Sequence, residues 1–415
     1  MFRILTVLFF AVVFLLIDYY VFQAVLVISR DWSSPWKNLV RYGYWVPTVL
    51  SMAALAWWAF DNPYRYSASF RNWVLTLLIT TYFSKLFAVL ILFVDDVRRG
   101  VLTAWSHIRP TPQDLPGTPI SRSDFLSKTA LVAAGLPLGA FAYGIISGAH
   151  DYHVKRQTVY LPNLPKSFDG ITIGQVSDIH SGSFWNKTAV KGGVEMFLAE
   201  KPDVIFFTGD LVNNETSEVN NYLPVFEKLR APLGVFSTTG NHDYGDYRSW
   251  NTKADKARNF QDLINAHKQM GFRILMNEHE FLEESGDKLA VIGIENWGAI
   301  ARFPKYGKLD RAHNGTGEAA VKLLLSHDPS HWDAQVRTEY PDIDVMFAGH
   351  THGFQFGVEI GGFKWSPSQY IYKQWAGLYQ EGNQYLYVNR GFGYLAYPGR
   401  VGIPPELTLL TLKRG

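Results

Sequence analysis

Asp344-Val345-Met346-Phe347-Ala348-Gly349-His350-Thr351-His352 decides how the second part of this chain folds. Val345 to Ala348 is a short apolar run between turn-forming residues, the pattern of a buried strand. The strand ends in a glycine and then two histidines with one residue between them. Alternate side chains of an extended backbone point to one side, so His350 and His352 can aim two imidazoles at one point. On its own such a motif is equally a turn with two hydrogen-bonded histidines.

The same construction recurs upstream. Ile171 to Val176 reads as a strand followed by Asp178-Ile179-His180, and Val204 to Thr208 as one followed by Gly209-Asp210. Gly234 to Thr238 runs into Gly240-Asn241-His242-Asp243, and Val321 to Leu325 into Ser326-His327. Every strand finishes in Asp, Asn or His, ligand types for divalent metals. Five of the twelve histidines lie in these motifs. In α/β sheets ligands bind beyond the carboxyl ends of the strands, so five strand ends can converge on one site. Helical stretches fall between them, at Thr188 to Leu198, Glu218 to Leu229, Lys256 to Met270 and Trp332 to Tyr340, and Lys288 to Glu295 is a further strand. Such alternation predicts an α/β domain.

The ordered set D-x-H, G-D, G-N-H-D, a lone His and G-H-x-H resembles the calcineurin-like metallophosphoesterases over about Gly170 to the C-terminus. Tyr387 to Gly391 and Pro404 to Leu409 are similar to a membrane-associated bacterial branch of that family. Two positions depart from the branch: Asn213 stands where an Asp often follows G-D-L-V, and Phe354 where a second Gly is usual. The resemblance implies a four-layer α/β-β/α sandwich. It also implies two divalent ions (Mn, Fe, Zn or Co), one held by Asp178, His180, Asp210 and His352, the other by Asp210, Asn241, His327 and His350. His242 is then left over as the proton donor to the leaving oxygen, with Asp243 as its orienting partner. Two ions roughly 3.5–4 Å apart stabilise both the attacking and leaving oxygens of an in-line displacement and generate hydroxide near neutral pH. Arg390 is the candidate for substrate binding, because an arginine can clamp a phosphate bidentately, and Arg400 shares that chemistry.

The first third of the chain reads differently. Ile4 to Ile28, Gly43 to Phe60, Trp73 to Val94 and Thr129 to Gly148 are apolar runs with Trp and Tyr at their ends, and they predict a four-helix transmembrane region. The domains are therefore 1–149, membrane, and 150–415, catalytic. Asp18 and Lys85 are ionisable residues inside two spans, read as a structural ion pair. Asp95 to Lys128, with Pro110, Pro112 and Pro116 among its prolines, reads as an irregular linker. The loops after the first and third spans carry eight Lys and Arg against five on the other side, which places those loops in the cytoplasm and the catalytic domain outside it. Ser121 to Lys128 resembles a twin-arginine export signal with Ser123 in place of the second Arg.

A net charge of +2 gives no argument for nucleic acid. The absence of cysteine excludes disulfides and thiolate metal sites. The expected function is a multi-pass, membrane-anchored phosphoesterase cleaving phosphodiester or pyrophosphate bonds, lipid-linked substrates among them. The alternative is a non-catalytic, metal-stabilised membrane sensor or binding protein, which loss of a ligand would favour.

Overall fold

The computed structural model describes residues 2–60, 68–108, 122–300, 303 and 305–415. The chain divides into two compact units, Met1–Tyr143 and Gly144–Gly415.

The first unit is helical: α1 (Phe2–Ile28), α2 (Ser34–Gly43), α3 (Trp45–Phe60), α4 (Ala68–Ile108) and most of α5 (Arg122–Ile146). Among the described residues three helical stretches are long and apolar enough to cross a membrane: Arg3–Ile28, Phe70–Val101 and Asp124–His150. The expected span over Gly43 to Phe60 is shorter than predicted. α3 has 16 residues, about 24 Å at the helical rise, against a hydrocarbon core of about 30 Å. The irregular linker expected from Asp95 is also corrected, because α4 stays helical to Ile108. Arg98 and Arg99 pair with Asp95 one turn back, which supports helix where the apolar run stops. Residues 109–121 of that linker, and the start of the export-like segment, lie outside the described residues. Asp18 is fully buried and paired with Lys85. Tyr82 donates to its carboxylate at 2.8 Å and Tyr44 to its backbone carbonyl at 2.8 Å. The charge is thus compensated by one cation and one hydroxyl, as a buried carboxylate requires.

The second unit contains two six-stranded sheets. Its elements run β1 (His153–Leu161), β2 (Thr172–Val176), α6 (Lys187–Ala199), β3 (Val204–Phe207), α7 (Leu223–Phe226), β4 (Val235–Ser237), α8 (Lys253–Gln269), β5 (Arg273–Ile274), β6 (Glu278–Glu284) and β7 (Asp287–Gly293). They continue with α9 (Leu309–His313), β8 (Val321–Leu325), α10 (Arg337–Glu339), β9 (Val345–Ala348), β10 (Val358–Ile360), β11 (Phe363–Trp365), β12 (Gly377–Glu381), β13 (Gln384–Val388) and β14 (Glu406–Arg414). One sheet has the order β1-β14-β2-β3-β4-β5 and the other β12-β13-β9-β8-β7-β6; β10 and β11 form a separate ribbon.

The period of two explains the layering. Val204 and Phe206 of β3 face the second sheet, packing with Leu323, Leu325, Val345 and Phe347. Ile205 and Phe207 face the other way, against Val194, Phe197 and Leu263 of the helices. On β9, Met346 and Ala348 turn outward to Trp332 and Val336. Both faces of these strands are therefore buried, which is why they read as continuous apolar runs, and the sandwich has the expected four layers. Helices over β8 and β9 are reduced to short turns. The predicted helix over Trp332 to Tyr340 is a π-helical turn, Trp332–Val336, followed by α10. The one over Glu218 to Leu229 breaks into a 3-10 turn and α7, which has Pro224 in its first turn.

Candidate metal centre

β2, β3 and β4 are parallel neighbours in one sheet, and β8 and β9 in the other. Their carboxyl ends deliver the five motifs to one edge of the sandwich. Asp178, His180 and His352 bring one ligand atom each within 4.8 Å of one another, and Asp210, His327 and His350 form a second such group. Oδ2 of Asp210 connects the two, 3.1 Å from His327 Nε2 and 3.5 Å from His180 Nε2.

Backbone bonds between the sheets set this geometry. The His350 N–H donates to both Asp178 carboxylate oxygens at 3.0 Å, and Gln175 Nε2 donates to the Ala348 carbonyl at 2.9 Å. The approach is so close that a Cβ on Gly349 would strike Ser177 Oγ and Asp178 Oδ2. Glycine is therefore required before His350. Asp178, His180, Asp210, His350 and His352 all have φ between 48° and 71°. Left-handed backbone at a non-glycine residue costs of order 1–3 kcal/mol, and here it recurs at five candidate ligand positions. The surrounding fold holds these residues in place against that cost.

The imidazoles are oriented by their far nitrogens. His180 Nδ1 donates to Asn213 Oδ1 at 3.0 Å and His327 Nδ1 to the Thr208 carbonyl at 2.7 Å, leaving each Nε2 toward the centre. His350 Nε2 pairs with the Tyr372 hydroxyl at 2.7 Å and lies 3.7 Å from Asp328, while its Nδ1 faces His327 Nε2 at 3.3 Å. His352 differs: Arg400 Nη2 lies 3.3 Å from its Nδ1. His180 Nε2, His352 Nε2 and Asn241 Oδ1 are buried with no hydrogen-bond partner among the described residues. Orphaned buried polar atoms are rare in native structures. His180 Nε2 and His352 Nε2 belong to the group formed with Asp178, and two orphaned nitrogens of metal-ligand type there fit a cation between them.

Electrostatics lead to the same conclusion. Burial pushes His180 down to about 3 and His350 to about 4, and holds His352 well below its ordinary value. These rings are neutral, as ligands must be. Burial also opposes charge on His327, but the Asp210 and Asp178 carboxylates outweigh it and push His327 up to about 10. Asp210 is held well below its ordinary value: burial works against ionisation, but His327, His242 and His180 prevail. Burial raises Asp178.

Other expected residues sit differently. His242 lines the centre's cavity, and its Nδ1 donates to the Asn213 backbone carbonyl at 2.7 Å. Asp243 does not orient that ring. Its carboxylate accepts the backbone N–H groups of Asp210, Leu211 and Gly240, each at 2.9 Å, and so fixes the loop bearing the candidate ligand Asp210. Arg390 is buried, ion-paired with Glu406 and with Glu359 at 3.2 Å, and is not among the cavity-lining residues. Its bidentate chemistry is used inside the fold. Arg400 is likewise buried, donating to the carbonyls of Arg390, Gly391 and Gly393. The cavity has a volume of about 560 Å³ and an aromatic wall of Tyr247, Phe303, Phe354, Tyr372 and Tyr397. Tyr247, Phe303 and Phe354 occupy scattered positions that no local motif marks, while Tyr372 and Tyr397 lie in the aromatic-dense stretch from Phe363 to Tyr397.

The profile described as calcineurin-like phosphoesterase matches residues 171–354, and one described as a probable calcineurin-like phosphoesterase transmembrane domain matches 2–149. The chain is 30% identical over 303 residues to the uncharacterized metallophosphoesterase YkuE of Bacillus subtilis, covering 71% of this chain and 98% of that one. The chain belongs to the calcineurin-like metallophosphoesterase family. It is also 29% identical to a transmembrane protein with metallophosphoesterase domain from Danio rerio, over 66% of this chain and 60% of that one. Among solved structures, SoxB of Thermus thermophilus, a sulfate thiohydrolase, aligns at a TM-score of 0.35 and 11% identity, over 60% of this chain and 57% of that one. As a membrane-associated metallophosphoesterase, the chain carries two His/Asp groups suited to divalent ions.

Proposed function

We propose that this protein is a two-metal hydrolase of phosphodiester or pyrophosphate bonds, acting outside the cytoplasm on substrates that include lipid-linked phosphoesters. The observation that supports it most is the pair of buried ligand groups joined through one Asp210 oxygen. Asp178, His180, Asp210 and His352 would hold one ion, and Asp210, Asn241, His327 and His350 the other. When bound, such ions polarise the phosphoryl group and lower the pKa of water. The protein's own residues supply the rest. The Asp210 carboxylate is fixed by the His242 N–H on Oδ1 at 2.8 Å, which leaves Oδ2 toward the two histidines. With Nδ1 committed to the Asn213 carbonyl, His242 has only Nε2 with which to exchange a proton. Donation from Nε2 requires the ring to enter the step as imidazolium. As water adds to phosphorus and the ester P–O bond breaks, the Nε2 proton passes to the leaving oxygen, the attacking water gives up a proton to solvent, and the ring is reprotonated from solvent.

His242→Ala should keep both metals and lower turnover by about 10²–10⁴-fold on poor leaving groups. The loss should shrink for nitrophenolate, which needs little protonation. Metal analysis and turnover across leaving groups of graded basicity test this; a variant stripped of metal, or equally slow on every ester, would refute the assignment. The topology rests on the Lys/Arg asymmetry. A reporter fused after Gly415 that is active only in the cytoplasm would reverse it.

A further inference from the structure

The β10–β11 ribbon has its polarity reversed. Its register sets Val358 opposite Trp365, Glu359 opposite Lys364 and Ile360 opposite Phe363. Strand geometry puts Val358, Ile360, Phe363 and Trp365 on one face and Glu359 and Lys364 on the other. The polar face is turned to the body of the catalytic unit: Glu359 pairs with Arg390 at 3.2 Å and Lys155 at 3.3 Å, and Lys364 Nζ donates to the Ala376 carbonyl at 2.6 Å. The apolar face is turned outward, with Ile360 73% and Phe363 63% exposed and Tyr370 beside them 76% exposed. A ribbon folded for water would place these residues the other way round. Gly361 and Gly362, at φ 56° and 87°, make the tight turn that leaves Ile360 and Phe363 side by side at the tip.

Two further features say what covers this face. The ribbon rises from the rim of the metal cavity, between the lining residues Phe354 and Tyr372. The catalytic unit also includes the end of a bilayer-length helix. That unit begins at Gly144, inside the apolar stretch Asp124–His150. Within it Arg400 N–H donates to the Gly144 carbonyl at 3.1 Å, and a Cβ on Gly148 would strike the Arg400 carbonyl. A Cβ on Gly144 would lie 2.6 Å from the hydroxyl of Tyr397, another cavity-lining residue. A membrane helix end therefore packs directly against the cavity wall.

We propose that the β10–β11 ribbon inserts into the bilayer surface and holds the cavity at headgroup depth, so that the site takes the phosphoester headgroup of a membrane lipid. The substrate half of this rests on the two-metal reading; the insertion half does not. Trp365 and Tyr370, whose indole N–H and hydroxyl lie 3.3 Å apart, have the amphipathic chemistry that favours the membrane–water interface.

The chain contains no cysteine, so single labelling sites can be introduced at will. Ile360→Cys, Phe363→Cys and, as a control, Ser285→Cys in the exposed β6–β7 turn are labelled with an environment-sensitive fluorophore in the full-length protein. Each is reconstituted at one copy per nanodisc of phosphatidylethanolamine and phosphatidylglycerol. Labels at 360 and 363 should shift to the blue, resist iodide and lose most of their emission to lipids nitroxide-labelled high on the acyl chain, as expected for a depth of ~5–10 Å. The label at 285 should remain quenched by iodide alone. Labels at 360 and 363 as wet as the one at 285 would overturn the proposal. So would shielding that nitroxide lipids do not quench, or that arises only when discs hold two copies, since the face would then be covered by protein. None of these readouts depends on hydrolysis, so an inactive enzyme with inserted labels would count against the phosphoesterase reading and leave the docking intact.

Discussion

Asn213 touches both the candidate metal centre and the proposed proton donor His242, through different atoms, and so allows the two to be separated. Its side-chain Oδ1 accepts from His180 Nδ1 at 3.0 Å, while its backbone carbonyl accepts from His242 Nδ1 at 2.7 Å. Both Asn213 and His180 are buried. Asn213→Ala removes the first bond, together with the side-chain bonds to the half-buried Ser183, keeps the second, and leaves the His180 N–H unpaired in the interior, which costs about 1–3 kcal/mol. Loss of a partner that orients a metal-bound histidine weakens affinity about 10- to 100-fold, and the two estimates agree. The affinity of the ion held by Asp178, His180 and His352 should fall by that factor, and the other should be nearly unchanged. At saturating metal the turnover should recover, because the His242 anchor is main chain. Asn213→Asp keeps an acceptor and makes it stronger, so it should bind at least as tightly as the parent. The assay is calorimetric titration of the metal-free protein with Mn²⁺, paired with turnover as a function of metal. Equal weakening of both ions, or a rate that saturating metal does not restore, would refute the reasoning.

Further outcomes follow from the structure. In the metal-free protein His327, with its value raised to about 10, carries a proton at neutral pH that a metal must displace. Apparent affinity should therefore fall as pH falls, by up to about tenfold per unit, with about one proton released per chain; titration in buffers of different ionisation enthalpy measures it. The sign for stability is opposite. The contribution of His327 to the metal-free fold is fully present below its unfolded value of about 6.5 and is lost as pH rises through about 10. Phe347→Ala removes a fully buried ring that packs edge-on against Phe206 with centroids 5.1 Å apart. It should cost about 3–5 kcal/mol, read as a large fall in melting temperature, and a loss under about 1 kcal/mol would contradict the face-to-face packing of the sheets.

What the sequence reveals and what it conceals divide along the range of the interactions. The strands ending in Asp178, Asp210, Asn241, His327 and His350 are legible because a buried parallel strand is a local apolar run and its ligand follows within a few residues. The three bilayer-length helices are legible for the same reason. Arg390 and Asp243 were not, since their partners, Glu406 and the backbone of Asp210 and Leu211, come from other segments. Asn213 looks like a departure from a pattern at a position with no ligand, and only the fold brings its side chain to His180. The ribbon of β10 and β11 is too short for periodicity, and its reversed polarity is visible only once Glu359 is seen against Arg390.

β14, the final strand, lies between β1 and β2, parallel to the first and antiparallel to the second. A ribosome makes the chain in order, so the first sheet waits with a gap at its second position until residues 406–414 have emerged. Until then the backbone edge of β2, the strand that carries Asp178 and His180, is unpaired. The ligands of the first sheet also precede those of the second by some hundred residues of synthesis. The sheet that carries Asp178 and His180 is thus complete only once residues 406–414 have joined it. A nascent or clipped chain without residues 406–414 would carry this sheet with an open edge beside Asp178 and His180, exposed to proteolysis.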